Sequence, residues 1–437
     1  MQELRGKRVL VLGLGVSGRS AARFCARCGA RVVAADEATP PEPAELPVGV
    51  EVRSGGPFPD PADFDLVVPS PGIPPRRYKG RARRVWGDIE LAARALQVPL
   101  VAVSGTNGKS TTTLLLEAML RAAGLRAEAA GNLGRPALDL VGRPLDVAIL
   151  EVSSFQLESV EQFRPRVAVL LNLSPDHLDR HGSLERYRQA KLRLLARQGP
   201  EDLAILNGDE PWMRELGGQL ASRVWWFREA GEARPGACFD GEAILLHEPR
   251  KQTRLAVAGL APGLAAFRGN LLAALLAARA VGADPRRALG ALAGFSPPPH
   301  RAEPVLERDQ VLWIDDSKAT NPGAAQATLQ HLRRPVIWIA GGRDKGLSFD
   351  SLCRTALGGT RAALLIGECA QRIAEAIAGR VPVVEQSGNL EKAVERARAL
   401  AQPGDVVLLS PACASFDQFA SFAERGARFR SLVEARA

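Results

Sequence analysis

The sequence predicts an α/β protein of three domains. The first is a Rossmann-like N-terminal domain, the second a central P-loop domain on a parallel sheet, and the third a Rossmann-like C-terminal domain. Short continuous apolar runs alternate with helical patterns along most of the chain, the signature of parallel strands buried on both faces. At 437 residues the chain is too long for one compact core. The run Ser296-Pro297-Pro298-Pro299 is the clearest linker, because consecutive prolines lack donors and cannot continue a helix. The expected domains are residues 1–93, 94–296 and 297–437.

In the first domain a strand is expected at Val9–Leu12, then a glycine turn, a helix from about Ser17 to Cys28, and a strand Arg31–Ala35 ending at Asp36. Thr39 to Pro61 reads as proline-rich loop, Asp65–Val68 as a strand ending at Ser70-Pro71-Gly72, and Asp88–Leu96 as a helix. The second domain opens with the strand Leu100–Val103, a loop at 105–110 and a helix to about Ala123. Strands follow at Val147–Val152, Val167–Leu173 and Leu203–Leu206, then a weaker β-rich region over 222–260 and a helix Leu271–Val281. In the third, strands are expected at Val311–Ile314, Pro335–Ala340, Ala362–Ile366, Val381–Val384 and Val406–Leu409, with helices between.

Composition excludes some function classes. Hydrophobic content of 46% and charged content of 24% are ordinary for a globular protein. No run approaches ~20 apolar residues, so no membrane span is expected. The apolar start Val9–Val16 contains Gly13 and Gly15 and reads as a buried strand, not a secretory signal, which implies the cytoplasm. The net charge of +9 is spread along the chain, and the basic cluster Arg76–Arg84 carries only Tyr78 as an aromatic. Nucleic acid is therefore not expected, and an anionic small substrate accounts for the balance. The six cysteines include one C-x-x-C, Cys25 and Cys28, inside a helix. Without a second pair it reads as two small core residues; a redox pair is the alternative.

Two glycine motifs carry chemistry. Gly13-Leu14-Gly15-Val16-Ser17-Gly18 follows a strand and opens a helix, with Asp36 ending the next strand. Glycines there let backbone approach a diphosphate at a helix N-terminus, and the acid can bind ribose. Taken alone the pattern argues for an NAD-dependent oxidoreductase, but it specifies a diphosphate carried on a nucleoside, so a UDP-sugar fits the same physics. Ser104-Gly105-Thr106-Asn107-Gly108-Lys109-Ser110-Thr111 is the sharper signal. Its backbone N–H groups cradle phosphates of ATP, Lys109 reaches the terminal ones, and a hydroxyl of Ser110 or Thr111 can ligate Mg²⁺. Val103 stands where the general phosphate loop has its first glycine. Glu151, at the tip of a neighbouring strand, is placed to hold Mg²⁺. His177, after the next strand, can contact metal or orient a phosphate or carboxylate.

Gly105–Thr111, Glu151–Gln156, Asp176–Asp179 and Tyr187–Lys191, in that order, closely resemble the Mur ligases of bacterial cell-wall synthesis. The resemblance extends over essentially the whole chain. Asp315–Asn321 and Leu408–Phe419 resemble the D-glutamate-adding members of that family. The resemblance implies an ATP-dependent amide-bond-forming ligase that adds D-glutamate to UDP-N-acetylmuramoyl-L-alanine through an acyl phosphate, in peptidoglycan precursor synthesis; another Mur ligase or a folylpolyglutamate-type ligase is the alternative. It implies two Mg²⁺ ions, one on Glu151 and the hydroxyl after Lys109, the other supported by His177 and by Lys191 as a carbamate made from CO₂. Gly13, Gly15, Val16, Ser17, Asp36, Ser70, Gly72 and Asn132 fall to the UDP-sugar, and Asn270, Arg301 and Asp316 join the phosphate loop around ATP. Lys318, Thr320, Lys345, Ser415 and Phe422 match positions around D-glutamate, whose two carboxylates and ammonium call for fixed cations and hydroxyls. A monomer is expected. The sequence departs from the family pattern at Gly269 and Ala273, which flank Asn270 in place of a histidine and an asparagine. It departs again at Glu37 and Ala38 after Asp36, and in the loop Gly341–Lys345.

Overall fold

In the computed structural model, the described residues are all but 40–45, 242, 258–266, 356 and 436–437. Their strands form three sheets, each led by parallel pairing. The first has four strands, β1 (Arg8–Leu12), β2 (Arg31–Asp36), β3 (Glu51–Ser54) and β4 (Leu66–Pro69), in the order β3-β2-β1-β4. All are parallel. The helix Val16–Arg27 follows β1, and its buried side includes Ala21, Phe24 and Cys25. Burial pushes the Cys25 thiol up to about 12, as suits an inert core residue.

The second sheet has nine strands: β5 (Leu100–Ser104), β6 (Ala127–Gly131), β7 (Val147–Glu151), β8 (Val167–Leu170), β9 (Leu203–Asn207), β10 (Arg223–Arg228), β11 (Gly236–Asp240), β12 (Ala243–Glu248) and β13 (Lys251–Ala256). Their order is β13-β12-β11-β10-β9-β8-β5-β7-β6. Pairing is parallel from β6 through β11 and antiparallel among β11, β12 and β13. β5, β7 and β8 are buried throughout, as their unbroken apolar sequences require.

The third sheet has six strands: β14 (Glu303–Arg308), β15 (Val311–Asp315), β16 (Val336–Gly341), β17 (Thr360–Ile366), β18 (Val383–Gly388) and β19 (Val406–Leu409). They run in the order β14-β15-β19-β16-β17-β18, with only β14 antiparallel. The last strand therefore sits in the middle, so Asp315 at the end of β15 faces Leu409.

Three strands escape the sequence reading. β3 lies inside the segment expected to be loop, and all four of its residues are exposed. An edge strand needs only one partner and no buried face, so it carries no apolar run. β6 is rich in alanine, and β14 is a half-exposed edge strand beginning Glu303-Pro304. β8 stops at Leu170, short of the expected Leu173.

Contacts divide the chain into two compact units. One holds Met1–Leu173, Arg180–Leu260 and Gly269–Phe295, with the first two sheets; the other holds Ser174–Asp179 and Ser296–Ala437, with the third. Within the first unit the two sheets share one apolar cluster, from Val9 and Phe24 through Trp86 and Ile89 to Leu150 and Leu206. Polar pegs fix its register. Ser20 Oγ donates to Asp139 Oδ1 at 2.6 Å, and the buried Glu90 accepts backbone N–H groups of Glu161 at 2.8 Å and Phe163 at 3.0 Å. Buried Asp88 accepts from Gln156 Nε2 at 3.0 Å, and burial raises its pKa.

Candidate active site

In the first unit the phosphate loop runs from the end of β5 into the helix Lys109–Ala122. Two backbone positions need glycine. Gly105 has φ +151° and Gly108 φ +83°, and a Cβ on Gly108 would lie 2.2 Å from Asn270 Nδ2. Asn172 clips the loop from both sides. Its Oδ1 accepts from Asn107 N at 2.8 Å, its Nδ2 donates to Asn107 O at 3.1 Å, and its carbonyl accepts from Thr106 N at 3.1 Å. Asn270 Nδ2 donates to Gly108 O at 3.1 Å and Thr112 Oγ1 at 2.9 Å. Lys109 Nζ curls back over the loop, donating to Gly105 O at 2.9 Å and Thr106 O at 2.7 Å.

Lys191 approaches the same loop from the helix Leu184–Leu192. It is only 1% exposed; its Nζ donates to Gly105 O at 2.7 Å and lies 4.8 Å from the Tyr187 ring centre. The Tyr187 hydroxyl is 3.1 Å from Thr106 Oγ1. The register of β5 on β7 pairs Val103 with Glu151, so the carboxylate stands one strand from the loop's entry. Glu151 Oε1 accepts from Asn132 Nδ2 at 2.8 Å. Glu151 Oε2 and Thr111 Oγ1 are buried and make no hydrogen bond.

The N-terminal glycine loop is tied down by two polar side chains. Asp36 Oδ2 accepts from Leu14 N at 2.6 Å and Oδ1 from Ala38 N at 3.0 Å, so this carboxylate orders the loop's backbone. Ser70 Oγ donates to Gly13 O at 2.8 Å. A Cβ on Gly18 would fall 1.7 Å from Gly13 O, which explains the third glycine as helix-to-strand packing.

In the second unit the buried Asp316 accepts from Thr328 Oγ1 at 2.7 Å, Ser410 Oγ at 2.8 Å and Ala302 N at 3.1 Å. Even so, desolvation lifts its carboxyl from the ordinary value near 3.8 to about 6. The folded state thus holds this proton where the unfolded chain has released it, so stability falls as pH rises from about 3.8 to about 6 and is level above. Replacing Asp316 with asparagine should remove that slope. The variant's unfolding free energy relative to the parent should rise by about 3 kcal/mol across this window, measured by urea melts at successive pH values. A difference independent of pH would refute it.

Lys318 Nζ lies 3.6 Å from the Phe422 ring centre, a close cation–π contact. Asp176, 6% exposed, accepts from Asn321 Nδ2 at 3.1 Å and from Lys345 Nζ at 3.3 Å. The charges of Lys345 and His177 outweigh its burial and hold its pKa below the usual carboxylate range. His177 itself is half-exposed at φ +53°, a left-handed backbone uncommon outside glycine.

Three family models match this chain: the Mur ligase MurD-like N-terminal domain over residues 7–81, the Mur ligase middle domain over 103–277, and the Mur ligase glutamate ligase domain over 300–413. The chain belongs to the Mur ligase family. Among curated relatives, the UDP-N-acetylmuramoylalanine–D-glutamate ligase of Pelotomaculum thermopropionicum is 42% identical over 99% of this chain and 98% of its own. The protein of the same name from Anaeromyxobacter dehalogenans is 43% identical over the same shares. Solved structures agree in fold. A pseudomurein peptide ligase type C from Methanothermus fervidus covers 99% of this chain and 100% of its own, with TM-score 0.61 and 19% identity. A MurF ligase from Thermotoga maritima in complex with ADP covers 86% of this chain and 90% of its own, with TM-score 0.58 and 20% identity.

In this Mur ligase the structure gathers Gly105–Thr111, Asn132, Glu151, Lys191 and Asn270 around the phosphate loop of the first unit. Asp36 ends β2, Gly13, Gly15, Ser70 and Gly72 lie on the turns after β1 and β4, and Val16 and Ser17 open the helix Val16–Arg27. His177, Arg301, Asp316, Lys318, Thr320, Lys345, Ser415 and Phe422 belong to the second unit. At the departure Gly269, Glu229 Oε1 accepts the backbone N–H at 3.1 Å and would lie 2.8 Å from a Cβ there. A divalent cation fits the first unit, because the orphaned oxygens of Glu151 and Thr111 are hard ligands. A second grouping, His300, Glu303 and Asp315, is already satisfied. His300 Nδ1 lies 2.7 Å from Asp315 Oδ2, and Glu303 pairs with Arg430 at 2.5 Å.

Sequence reasoning passed over Asn172, Asp176 and Arg425. Asp176 opens the Asp176–Asp179 motif, but nothing in the spacing of Asn172 or Asp176 tells which partners they hold. Arg425 is 1% exposed; its Nε donates to Ser317 Oγ at 2.9 Å and its Nη2 to Ser317 O at 2.9 Å and Cys413 O at 3.2 Å. Burial lowers its pKa to about 10. The one available signal is an arginine on the same helix face as Gly426, Phe429 and Val433, all buried.

Proposed function

We propose that this Mur ligase joins D-glutamate to UDP-N-acetylmuramoyl-L-alanine, consuming ATP, in the cytoplasm and as a monomer. The observation that carries the reading is end-to-end similarity, at about 40% identity, to relatives named for that reaction. The UDP-sugar reading of Gly13–Gly18 replaces the oxidoreductase alternative, since the matched N-terminal domain is that of a ligase family. No helix among the described residues is long and apolar enough to cross a membrane.

The chemistry follows from the charges. A carboxylate is a poor electrophile until one oxygen becomes a leaving group. An oxygen of the alanyl carboxylate attacks the γ-phosphorus, and the bond to the ADP oxygen breaks. The amine of D-glutamate then attacks the acyl carbon and loses a proton, and the C–O bond to inorganic phosphate breaks as the amide forms. Lys109 neutralises negative charge on the phosphoryl oxygens, and backbone N–H groups of the loop hold the remaining phosphates. Glu151 with Ser110 or Thr111 would hold one Mg²⁺, and His177 and a carbamylated Lys191 would each offer ligands to a second; bound there, Mg²⁺ would supply further charge stabilisation on phosphate. Asn132 orients Glu151, and Lys318, Thr320, Lys345, Ser415 and Phe422 receive D-glutamate.

Phosphate release with ATP, Mg²⁺ and UDP-N-acetylmuramoyl-L-alanine should depend on D-glutamate, with L-glutamate, L-lysine and diaminopimelate near background. Turnover that ignores D-glutamate, or prefers another of these acceptors, would overturn the assignment.

A further inference from the structure

A cavity of about 640 Å³ lies in the first unit between the turn after β4 and the helix Leu184–Leu192. None of the residues assigned above to ATP, UDP-sugar, metal or D-glutamate lines it. Its walls carry five cations, Arg76, Lys79, Arg180, Arg186 and Arg193, against one carboxylate, Glu158.

That carboxylate is already committed. Glu158 Oε2 accepts from Arg180 Nη2 at 2.6 Å, and Oε1 lies 3.5 Å from His181 Nδ1. Arg193 satisfies its guanidinium on neutral groups, the carbonyls of Glu158 and Val160, both at 2.8 Å. Among the described residues, Arg76, Lys79 and Arg186 form no ion pair, so four of the five charges go without a counter-charge. Arg180 Nε is buried and makes no hydrogen bond. The crowding shows in Lys79, whose ammonium is held below its ordinary pKa by burial and by Arg193 and Arg180.

Like charges lining one concave surface repel, and a multiply charged anion relieves all of them at once. The volume is that of a small-molecule site. No Phe, Tyr or Trp lines it, so no large aromatic face offers a base a stacking platform. Guanidinium forks set apart along a cavity suit charges set apart along a chain of phosphates, better than one compact ion.

We propose that this cavity is a second anion site, separate from the ATP and UDP-sugar sites, that binds an oligophosphate. It is wired to the substrate side through Arg180, whose guanidinium also donates to the carbonyls of Gly72 at 3.2 Å and Ile73 at 3.0 Å. An occupant that draws on Arg180 acts on the loop expected to hold the UDP-sugar.

The test is calorimetric titration of inorganic tripolyphosphate into the full-length chain carrying Lys109→Met, which weakens the phosphate loop as a competing site. Saturable binding is expected, weakened about tenfold or more by adding Arg76→Glu and Arg186→Glu. With Lys109 intact, that double substitution should leave ligase turnover unchanged without added polyphosphate, which confirms folding. ATP binding equal to tripolyphosphate, and equally weakened by the double substitution, assigns recognition to the phosphates alone and upholds the site. Three results overturn it: no saturable binding at millimolar tripolyphosphate, binding indifferent to the double substitution, or loss of binding when UDP-N-acetylmuramoyl-L-alanine saturates the protein.

Discussion

Replacing Lys109 with methionine is expected to lower turnover about 10³-fold while leaving affinity for UDP-N-acetylmuramoyl-L-alanine nearly unchanged. The ammonium sits on the loop's own carbonyls, at 2.9 Å from Gly105 O and 2.7 Å from Thr106 O, so it is positioned by the backbone proposed to cradle phosphates. Methionine keeps most of the apolar stem and removes the ammonium, with its two hydrogen bonds to the loop. Loop shape should survive, because Asn172 and Asn270 hold it independently. Steady-state phosphate release with saturating substrates reads the loss, and calorimetry with the UDP-sugar alone reads the control. A loss below about tenfold would mean that Lys109 does not meet the transferring phosphate.

Replacing Lys191 with alanine should be as damaging, and it separates two roles for one side chain. Lys191 buttresses the phosphate loop through its 2.7 Å bond to Gly105 O, and it is proposed to carry a carbamate. A carbamate nitrogen keeps an N–H for that carbonyl and gains two oxygens able to bind metal. Loss of about 10³-fold is expected for the alanine variant, with partial recovery in acetate or formate, whose carboxylates can re-enter the cavity left by the side chain. Buttressing alone predicts no recovery from small acids. Unchanged activity would remove Lys191 from the site altogether.

Much of this was readable in the sequence, for a reason that differs from place to place. β5, β7 and β8 are buried on both faces, so their positions follow from unbroken apolar runs. The phosphate loop and the Gly13–Gly18 turn are local: glycines and a following helix lie next to one another along the chain. β3 and β14 were missed because an exposed edge strand needs no apolar pattern. Asp36 shows a subtler limit. An acid at a strand end was readable, but not that its two oxygens are taken by Leu14 N and Ala38 N. Asp176 and Arg425 were illegible for a simpler reason: their partners lie as far as 169 and 108 residues away along the chain.

The place of β19 at the centre of the third sheet governs when this part of the molecule can take shape. Asp316 leaves the ribosome long before its partner Ser410, 94 residues later, and Ser317 waits 108 residues for Arg425. Until then β15 has only its hairpin neighbour β14, and the Asp315–Asn321 turn lacks Ser410 and Arg425, two of the groups that fix it. Such late, distant pairings make folding slow and keep a strand edge exposed during synthesis. A nascent chain stopped before β19 would contain the whole Asp315–Asn321 motif and still have no site.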